Sequence, residues 1–374
     1  MPVLRMGNLT RDGRLDYSNL VYTDSIYDIE EYNLKKGDIL FNRTNSSEWV
    51  GKCALYDALI PAIYAGYLVR VRPIIVLSKY LIDVLTSDYY RDWCYCVKTD
   101  AVNQSNINAT KLSDFRVPLP PIEEQLRIYS KFQEYNELIN RISDIEYLLK
   151  NKVENVKHKI LELAMQGKLV PQDLSDEAAA DMLRRINPKA KIITDNPHSW
   201  NIPSSWTWCY LGDIFQHNTG KALNSANKEG IEYEYLTTSN VYWGRFILDN
   251  LNKMSFKDNE IEKCTIHKGD LLVCEGGDIG RAAIWNHERN IMIQNHLHRL
   301  RPIAVEIYPP LYYFVFRLYK DKGLIGGKGI ALLGFSSRSL HQLIVPLPPL
   351  NEQKRIVAKI DKLFSILNMI EASL

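Results

Sequence analysis

Hydrophobic and polar residues follow two different patterns along this chain. Short apolar runs such as Asp38–Phe41 and Asp270–Val273 are bounded by Gly, Asn and Asp, which is typical of short strands joined by turns. The stretches Lys79–Trp93 and Tyr308–Lys320 are each predicted to form a helix. We therefore expect domains that mix α-helices and β-strands.

The second pattern begins after each Pro-Leu-Pro-Pro motif, where proline favours the start of a helix. Apolar residues then recur every three or four positions, which predicts a heptad seam and an antiparallel coiled coil between the two helices. Residues 122–166 would span about 67 Å as a helix, and the second helix has about half that length. The seams consist of Leu138, Ile142, Ile145, Leu149, Val153, Val156, Ile160 and Leu163, and of Ile356, Ile360, Leu363, Leu367, Ile370 and Leu374.

The chain contains an internal repeat. Val117–Ile128 and Val345–Ile356 are identical at nine of twelve positions, at an offset of 228. Further matches precede this motif at offsets of 229 to 232, and between them the loops diverge. Two copies of one domain therefore follow each other in tandem. The additional matches pair Lys36–Leu40 with Lys268–Leu272, Gly51–Tyr56 with Gly280–Trp285, and Leu68–Pro73 with Leu297–Pro302.

The two copies differ at their ends. The second copy has a lead-in, Trp206–Tyr235, for which the first copy has no counterpart. Because the second helix is also short, we interpret the chain as truncated at both ends, or as one whose missing edge another chain supplies. The predicted organisation is a first domain at 1–120, a long helix at 121–168, a linker with a short helix at 169–199, a second domain at 200–348 and a second helix at 349–374.

Charge and cysteine content limit the classes of function. The 46 Lys and Arg residues nearly balance the 44 Asp and Glu residues, for a formal net charge of +2. Any contact with nucleic acid must therefore come from local clusters of cations. The six cysteines form no Cys-x-x-Cys pair, so neither a zinc site nor a disulfide framework is predicted. The sequence shows no signal peptide and no membrane span, and we expect a cytoplasmic protein.

The sequence lacks the catalytic motifs of the enzyme classes that act on nucleic acids or nucleotides. The nearest match to an amino-methyltransferase motif, Tyr308–Leu311, lacks the polar first residue and the aromatic last one. The phosphate-binding P-loop pattern is absent. His296-x-His298 has metal-like spacing but no third ligand, and the glycine run Gly326–Gly329 lacks the context of a nucleotide-binding loop. We expect no catalytic centre and no bound metal.

The duplicated motif carries a family resemblance. Pro118-Leu119-Pro120-Pro121-x-x-Glu124-Gln125 and its repeat at Pro346–Gln353, the run Leu163–Val170, and the lead-in Ile202–Ile214 resemble the specificity subunits of Type I restriction–modification enzymes. The resemblance covers essentially the whole chain. It implies an α+β fold, in which two mixed target recognition domains in pseudo-symmetric tandem are separated by two long helices that form an antiparallel coiled coil.

The resemblance also implies a function. Each recognition domain would read one half of a split double-stranded DNA target, and the paired helices would fix the distance between the halves. Two modification subunits would dock, bind S-adenosylmethionine and methylate adenine at N6, and restriction subunits would cleave DNA with ATP and Mg²⁺. The chain itself would bind no cofactor. Two alternatives stay open: an incomplete or decoy chain that needs a second fragment, and a coiled-coil scaffold that reads no DNA.

Candidate DNA-binding residues lie on the loops that differ between the copies. Arg reads guanine, Asn reads adenine, carboxylates accept from cytosine, and Lys, Ser and Thr bind phosphates. In the first copy the candidates are Asn8, Asn42, Arg43, Thr44, Asn45, Ser46 and Lys52. In the second copy they are Lys221, Thr238, Ser239, Asn240, Arg245, Glu275, Asp278, Arg281, Ser337 and Arg338.

Residues that are the same in both copies suggest a shared task, because half-sites differ and base-reading residues should differ with them. Partner docking is one such task, and capping of the helix start by acidic residues is another. The docking candidates that the copies share are Gln125, Arg127, Gln353 and Arg355. Gln166 and Lys168, in the run Leu163–Val170 that carries the family resemblance, are also candidates for docking.

Overall fold

The computed structural model describes residues 1–102, 104–195, 198–223, 229–325 and 336–374. It divides into two compact units, Met1–Ile145 and Glu146–Leu374. The division falls inside one long helix.

The first unit combines short strands with helices and ends in the long helix. Its strands are β1 (Pro2–Leu4), β2 (Val21–Tyr22), β3 (Ile39–Asn42), β4 (Thr44–Asn45), β5 (Cys53–Leu55), β6 (Ile63–Tyr64), β7 (Leu68–Val71), β8 (Thr99–Ala101) and β9 (Gln104–Asn106). Its helices are α1 (Ile26–Glu31), α2 (Ser78–Val84), α3 (Asp88–Val97), α4 (Ala109–Ser113) and α5 (Ile122–Met165), the last of which continues into the second unit.

Three small sheets build the first unit. Antiparallel β5, β3 and β7 form one sheet in that order, β2, β1 and β6 form another, and β4, β9 and β8 form the third. Buried Ile39 and Phe41 of β3 belong to the same core cluster as Leu81 of α2 and Tyr90 of α3. The apolar run that predicted a strand is thus the centre of a sheet with helices packed on it.

The prediction of one continuous helix over Lys79–Trp93 is wrong. The chain forms α2 and α3 with a break at Leu85–Ser87. Ser87 caps the second helix, since its hydroxyl accepts a hydrogen bond from the backbone N–H of Tyr90 at 3.3 Å. Serine is a favoured N-cap because it satisfies a free N–H of the first turn, and here the cap restarts the helix inside an amphipathic stretch.

The second unit repeats this plan with longer elements. Its helices are α6 (Ala179–Ile186), α7 (Leu211–Ile214), α8 (Asp258–Cys264), α9 (Pro309–Asp321), α10 (Ser337–His341) and α11 (Leu350–Ala372). Its strands are β10 (Thr207–Tyr210), β11 (Phe215–Thr219), β12 (Ile231–Leu236), β13 (Val241–Tyr242), β14 (Arg245–Phe246), β15 (Asn252–Phe256), β16 (Thr265–Ile266), β17 (Leu271–Cys274), β18 (Ala282–Ile284), β19 (Ile291–Ile293), β20 (Leu297–Pro302) and β21 (Ile344–Leu347).

Sheet order shows what the lead-in of the second copy contributes. Strands β18, β17 and β20 correspond to β5, β3 and β7, and β11 adds a fourth strand on the outer side of β20. A second sheet has the order β15, β12, β19 and β16, and β10 pairs with β21. Both β10 and β11 come from the lead-in that the first copy lacks.

Helices α5 and α11 run antiparallel within the second unit. Lys157 near the end of α5 bonds Glu371 near the end of α11 at 2.8 Å, while Gln172, beyond the end of α5, bonds Glu352 near the start of α11. Leu161 of α5 and Ile360 of α11 are buried in one core cluster. The α+β fold with two paired helices is therefore confirmed.

The two copies share individual contacts as well as topology. Asp38 and Arg72 form a two-point ion pair with 2.7 Å bonds, and Asp270 and Arg301 repeat it at 2.8 and 2.6 Å. Both carboxylates are almost fully buried, and bidentate pairs of this kind fix geometry strongly. The sequence repeat is thus a structural repeat down to its buried ion pairs.

Candidate nucleic-acid interface

Each copy holds a cation at the same place beside the central strand. Gly51 and Gly280 both have positive φ. A Cβ added to Gly51 would lie 2.6 Å from Cys94 Sγ, and one added to Gly280 would lie 2.7 Å from Ile325 Cγ2. The next residue is Lys52 in the first copy and Arg281 in the second. These tight turns therefore need glycine, and they fix where the following cation leaves the backbone.

The two cations are anchored in the same way. Lys52 Nζ donates to the backbone carbonyl of Met6 at 3.2 Å and to that of Leu9 at 2.6 Å. Arg281 Nη2 donates to the carbonyl of Thr238 at 2.6 Å. Met6 and Thr238 are 232 residues apart, the offset of the repeat in this region. The repeat therefore preserves an anchored cation although Lys replaces Arg.

An aromatic ring lies against each anchored cation. In the first copy Arg11 stacks 3.8 Å from the centre of the Trp49 ring, and Lys52 lies 4.8 Å from it. In the second copy Arg245 and Arg281 lie 5.4 and 5.0 Å from the centre of the Tyr242 ring. Cation–π contacts hold long side chains in place, so each copy presents two cations on one aromatic platform.

The first-copy cluster carries more positive charge than its neighbours neutralise. Burial lowers the pKa of the Lys52 ammonium, and the nearby guanidinium of Arg11 lowers the same pKa further. Among the described residues Arg11 forms an ion pair with Glu48 at 3.7 Å, and both of these side chains are more than half exposed. An anion such as a phosphate would relieve this repulsion.

The first-copy loop that follows β3 carries the candidates for base contacts. Arg43 and Ser46 are exposed, and the Arg43 guanidinium makes no hydrogen bond or ion pair with the residues that the structure describes. Thr44 accepts a hydrogen bond from Asn106 at 2.7 Å, and Asn45 caps the backbone N–H of Ser46 at 2.8 Å. Arg43 and Ser46 are therefore the candidates best placed to reach a ligand.

The second-copy loop has acidic groups where the first has Arg and Ser. Glu275 lies 3.8 Å from the His296 ring, and Asp278 pairs with Lys320 at 2.9 Å. Ser239 is exposed, with its hydroxyl 2.7 Å from that of Thr237. Ser337 and Arg338 are exposed on α10. The two loops share their position after the central strand and differ in chemistry.

Four predicted DNA-binding residues have roles inside their own domains. Asn8 is 3% exposed and bonds the backbone of Arg5, Asp16 and Asn19, and Asn240 holds the equivalent turn in the second copy. Asn42 is fully buried. Lys221 Nζ pairs with Glu260 at 2.6 Å, and the Lys221 side chain is only 9% exposed. As corrections, these residues leave the predicted interface. Internal bonds occupy the polar groups of Asn8, Asn240 and Lys221, and full burial keeps the Asn42 amide from reaching a ligand.

Two predicted docking residues are also internal. Gln125 and Gln353 are buried, and each accepts a hydrogen bond from a backbone N–H of its own domain. The donor to Gln125 is Leu77, at 2.9 Å, and the donor to Gln353 is Tyr308, at 2.8 Å. As a correction, they fix each helix start to its domain and leave the docking set.

The remaining docking candidates differ in accessibility. Arg355 bonds Asp176 at 2.7 Å, and Gln166 is half-buried. Arg127 and Lys168 are exposed, so these two present the most accessible polar groups of the predicted docking set.

Sequence reasoning missed the residues that complete each cation cluster. Arg11, Trp49 and Tyr242 were not among the predicted site residues. An aromatic residue close in sequence to Lys or Arg on a divergent loop is the available signal, and Trp49 lies three positions before Lys52. Arg11 offers no such signal, since the fold brings it to Trp49 from a distant loop.

The metal-like His296-x-His298 pattern has a structural explanation. His298 is buried, and its Nδ1 lies 2.8 Å from Nε2 of His217 on the neighbouring strand β11. Burial lowers the pKa of His217 to about 4, and the nearby His298 adds to this effect. Among the described residues no group of three or more His, Cys, Asp or Glu could hold a metal ion. Gly326–Gly329 lie outside the described residues.

None of the described helices is both long enough and apolar enough to cross a membrane.

The chain is a two-domain protein with a tandem α+β repeat, paired helices and a cation cluster in each copy, and comparison with known families identifies its class. A family model for the Type I restriction modification DNA specificity domain matches residues 1–155 and 203–374. The chain therefore belongs to this family, as the sequence motifs indicated.

Individual relatives support the assignment. The sequence assigned to the MjaX specificity subunit of Methanocaldococcus jannaschii is 26% identical over 369 residues, which cover 96% of this chain and 79% of that protein. The Type I restriction enzyme EcoAI specificity subunit of Escherichia coli is 21% identical over 411 residues, which cover 90% of this chain and 68% of that protein.

Solved structures share the fold. The HsdS subunit from Thermoanaerobacter tengcongensis matches with a TM-score of 0.64 and 16% identity over 100% of this chain and 84% of that one. A chain from a structure of complex assembly and conformational transition of the type I R-M system matches with a TM-score of 0.66 and 17% identity over 100% and 85% of the two chains.

Proposed function

We propose that this chain is the DNA-reading subunit of a Type I restriction–modification complex, in which each copy of the repeated domain contacts one half of a bipartite target. The observation that carries the proposal is the pair of equivalent cation clusters, Lys52 with Trp49 and Arg281 with Tyr242. Equivalent scaffolds with chemically different loops suit two readers of different half-sites.

The contacts divide into two kinds. Lys52, Arg281, Arg11 and Arg245 are positioned by carbonyls or aromatic rings, and we assign them to phosphates, because a fixed cation suits a repeating backbone. Arg43 and Ser46 of the first copy, and Glu275 and Asp278 of the second, are assigned to base edges. A guanidinium favours guanine, whereas a carboxylate accepts from the amino group of cytosine.

The remaining parts of the proposal concern partners. Relatives of this chain are named as specificity subunits of restriction enzymes, and we propose that this chain likewise performs no chemistry and acts in the cytoplasm. Methyltransferase subunits would dock through exposed groups such as Arg127 and Lys168 and would bind S-adenosylmethionine. Restriction subunits would bind ATP and Mg²⁺.

Methylation mapping of host DNA tests the proposal. With the gene present, we expect methylated adenines within one bipartite motif, and without it we expect that motif to be unmethylated. A control strain carries Arg116→Ala, a change at an exposed arginine that is not among the predicted site residues, and should keep the motif. An identical methylation pattern with and without the gene would refute the DNA-reading function and favour the scaffold alternative.

A further inference from the structure

A β-hairpin connects helices α3 and α4 of the first unit. It consists of β8 and β9, which pair antiparallel. Ile107, directly after β9, is fully buried in the same core cluster as Phe41 of the central strand β3. On the other side of the hairpin base, Lys111 of α4 donates to the hydroxyl of Thr99 at 2.8 Å. The base of the hairpin is therefore fixed to the domain.

The hairpin belongs to the same sheet as the loop that carries the candidates for base contacts. Strand β4 of that loop pairs with β9, where Thr44 lies opposite Asn106. The side chain of Asn106 donates to the Thr44 hydroxyl at 2.7 Å, and the backbone N–H of Ile107 donates to the carbonyl of Arg43 at 2.8 Å. A ligand that contacts the loop at Arg43 therefore lies beside the hairpin as well.

One face of the hairpin has its polar groups satisfied within the domain. Asp100 lies opposite Ser105, and its carboxylate accepts hydrogen bonds from the Ser105 hydroxyl and, at 3.0 Å, from Lys98 Nζ. These bonds lower the pKa of the Asp100 carboxyl, which is therefore charged at neutral pH. The Lys98 side chain is 7% exposed. Its ammonium group offsets the charge of the carboxylate, so this face does not repel a phosphate backbone strongly.

The other face carries an amide that is free to bind a ligand. Side chains alternate along a strand, so Gln104 shares a face with Asn106, and Ala101 lies opposite Gln104. Gln104 is exposed, and its amide makes no hydrogen bond with any residue that the structure describes. The methyl group of Ala101 is too small to cover this amide.

The end of the hairpin has the size and the chemistry to contact an A·T base pair. The major groove of DNA is about 12 Å wide and admits a two-stranded ribbon, and residues 99–106 include no aromatic side chain. Val102, which follows β8, is 98% exposed. An apolar side chain at this place suits the thymine methyl group, which lies in the same groove as the polar edge of adenine.

The free amide favours adenine over guanine. Adenine presents one acceptor, N7, and one donor, the N6 amino group, and the two halves of an amide match them together. Guanine presents two acceptors on this edge, which suit an arginine better. Gln104 therefore adds a base preference that Arg43 cannot supply.

We propose that hairpin β8–β9 enters the major groove of the half-site that the first copy reads, and that Gln104 reads an adenine there. This inference rests on the proposed DNA-reading function and adds a base identity to it.

Methylation mapping in strains with substituted chains tests the assignment. Gln104→Ala should make one A·T position of a single half-site degenerate, because alanine has no group that pairs with adenine. Gln104→Glu should shift the preference at that position towards C·G, since a carboxylate accepts from the amino group of cytosine. Thr110→Ala, at an exposed position of α4, is the control and should keep the motif.

A base analogue tests the contact itself. In binding assays of the assembled complex, 7-deazaadenine would replace the adenine at the position that Gln104→Ala makes degenerate. This analogue lacks N7 but keeps Watson–Crick pairing. We expect binding by the wild-type complex to weaken about tenfold. The Gln104→Ala complex should show no further weakening, because it has already lost the contact.

Four results would overturn the assignment. They are an unchanged motif in Gln104→Ala, a degenerate position that is G·C in the wild type, relaxation of the same position by Thr110→Ala, and equal weakening of both complexes by 7-deazaadenine. In each of these cases the motif still depends on the gene, so the DNA-reading function survives. A motif that does not depend on the gene would refute both the function and the assignment.

Discussion

Replacing Trp206 with Phe should destabilise the second unit by about 2 kcal/mol. The indole N–H donates to Glu352 at 2.9 Å, and both side chains are buried, with 5% and 1% exposure. Phe retains the aromatic packing but leaves the carboxylate with Gln172 as its remaining donor. Loss of a hydrogen bond to a charged group costs about 1.5–3 kcal/mol.

Hydrogen exchange as a function of urea measures this effect. Amides of β10 and β21 report the opening of the second unit, because these strands pair beside Trp206. Trp243→Phe is the matched control. Trp243 is half-buried and packs against the core of the second unit, but its indole makes no hydrogen bond with the described residues, so this variant should cost less than Trp206→Phe. A loss below about 0.5 kcal/mol for Trp206→Phe, or equal losses for the two variants, would refute the reasoning.

Three further predictions concern individual groups. Arg281→Ala should reduce the slope of log affinity against log salt by about 0.9 in binding assays of the assembled complex, since one phosphate contact is lost. Asn42→Cys should stabilise the first unit by about 1 kcal/mol in urea unfolding, because both amide atoms of buried Asn42 have no partner in the described residues and Cys274 holds the equivalent place. Burial raises the pKa of Asp83 to about 6, so wild type should lose stability relative to Asp83→Asn as pH rises from about 4 to about 6, measured as the difference between their melting temperatures.

The sign of the pH effect follows from linkage. A carboxyl with a raised folded-state pKa favours the protonated form, so its contribution to stability is largest below its ordinary pKa and is lost as pH rises through the folded value. Equal pH profiles for wild type and Asp83→Asn would contradict this account. An unchanged salt slope for Arg281→Ala would remove that residue from the phosphate contacts, and destabilisation by Asn42→Cys would mean that the amide is satisfied.

Sequence patterns that span a few residues were sufficient to predict most secondary-structure elements and the internal repeat. The motif after Pro-Leu-Pro-Pro predicted the long helix that is observed as Ile122–Met165, and the match of Lys36–Leu40 with Lys268–Leu272 located equivalent strands. These features depend on spacing within a few residues. The break in Lys79–Trp93 was missed because one serine cap outweighed the amphipathic pattern.

Side-chain roles were harder to predict because they depend on contacts distant in sequence. Gln125 and Gln353 were identified as a shared feature, but their partners lie 48 and 45 residues away. Lys221 was chosen for its charge, and the fold pairs it with Glu260. Charge and residue type alone therefore do not distinguish residues that could contact a ligand from residues with internal structural roles. The burial of each side chain must be known as well.

The most direct test of the central claim is methylation mapping in strains that carry Arg43→Ala or Glu275→Ala. The account predicts that Arg43→Ala relaxes the sequence of one half-site and leaves the other intact, because Arg43 lies exposed on the loop of the first copy. Glu275→Ala, on the equivalent loop of the second copy, should affect the opposite half. Equal relaxation of both halves by either variant would contradict one domain per half-site.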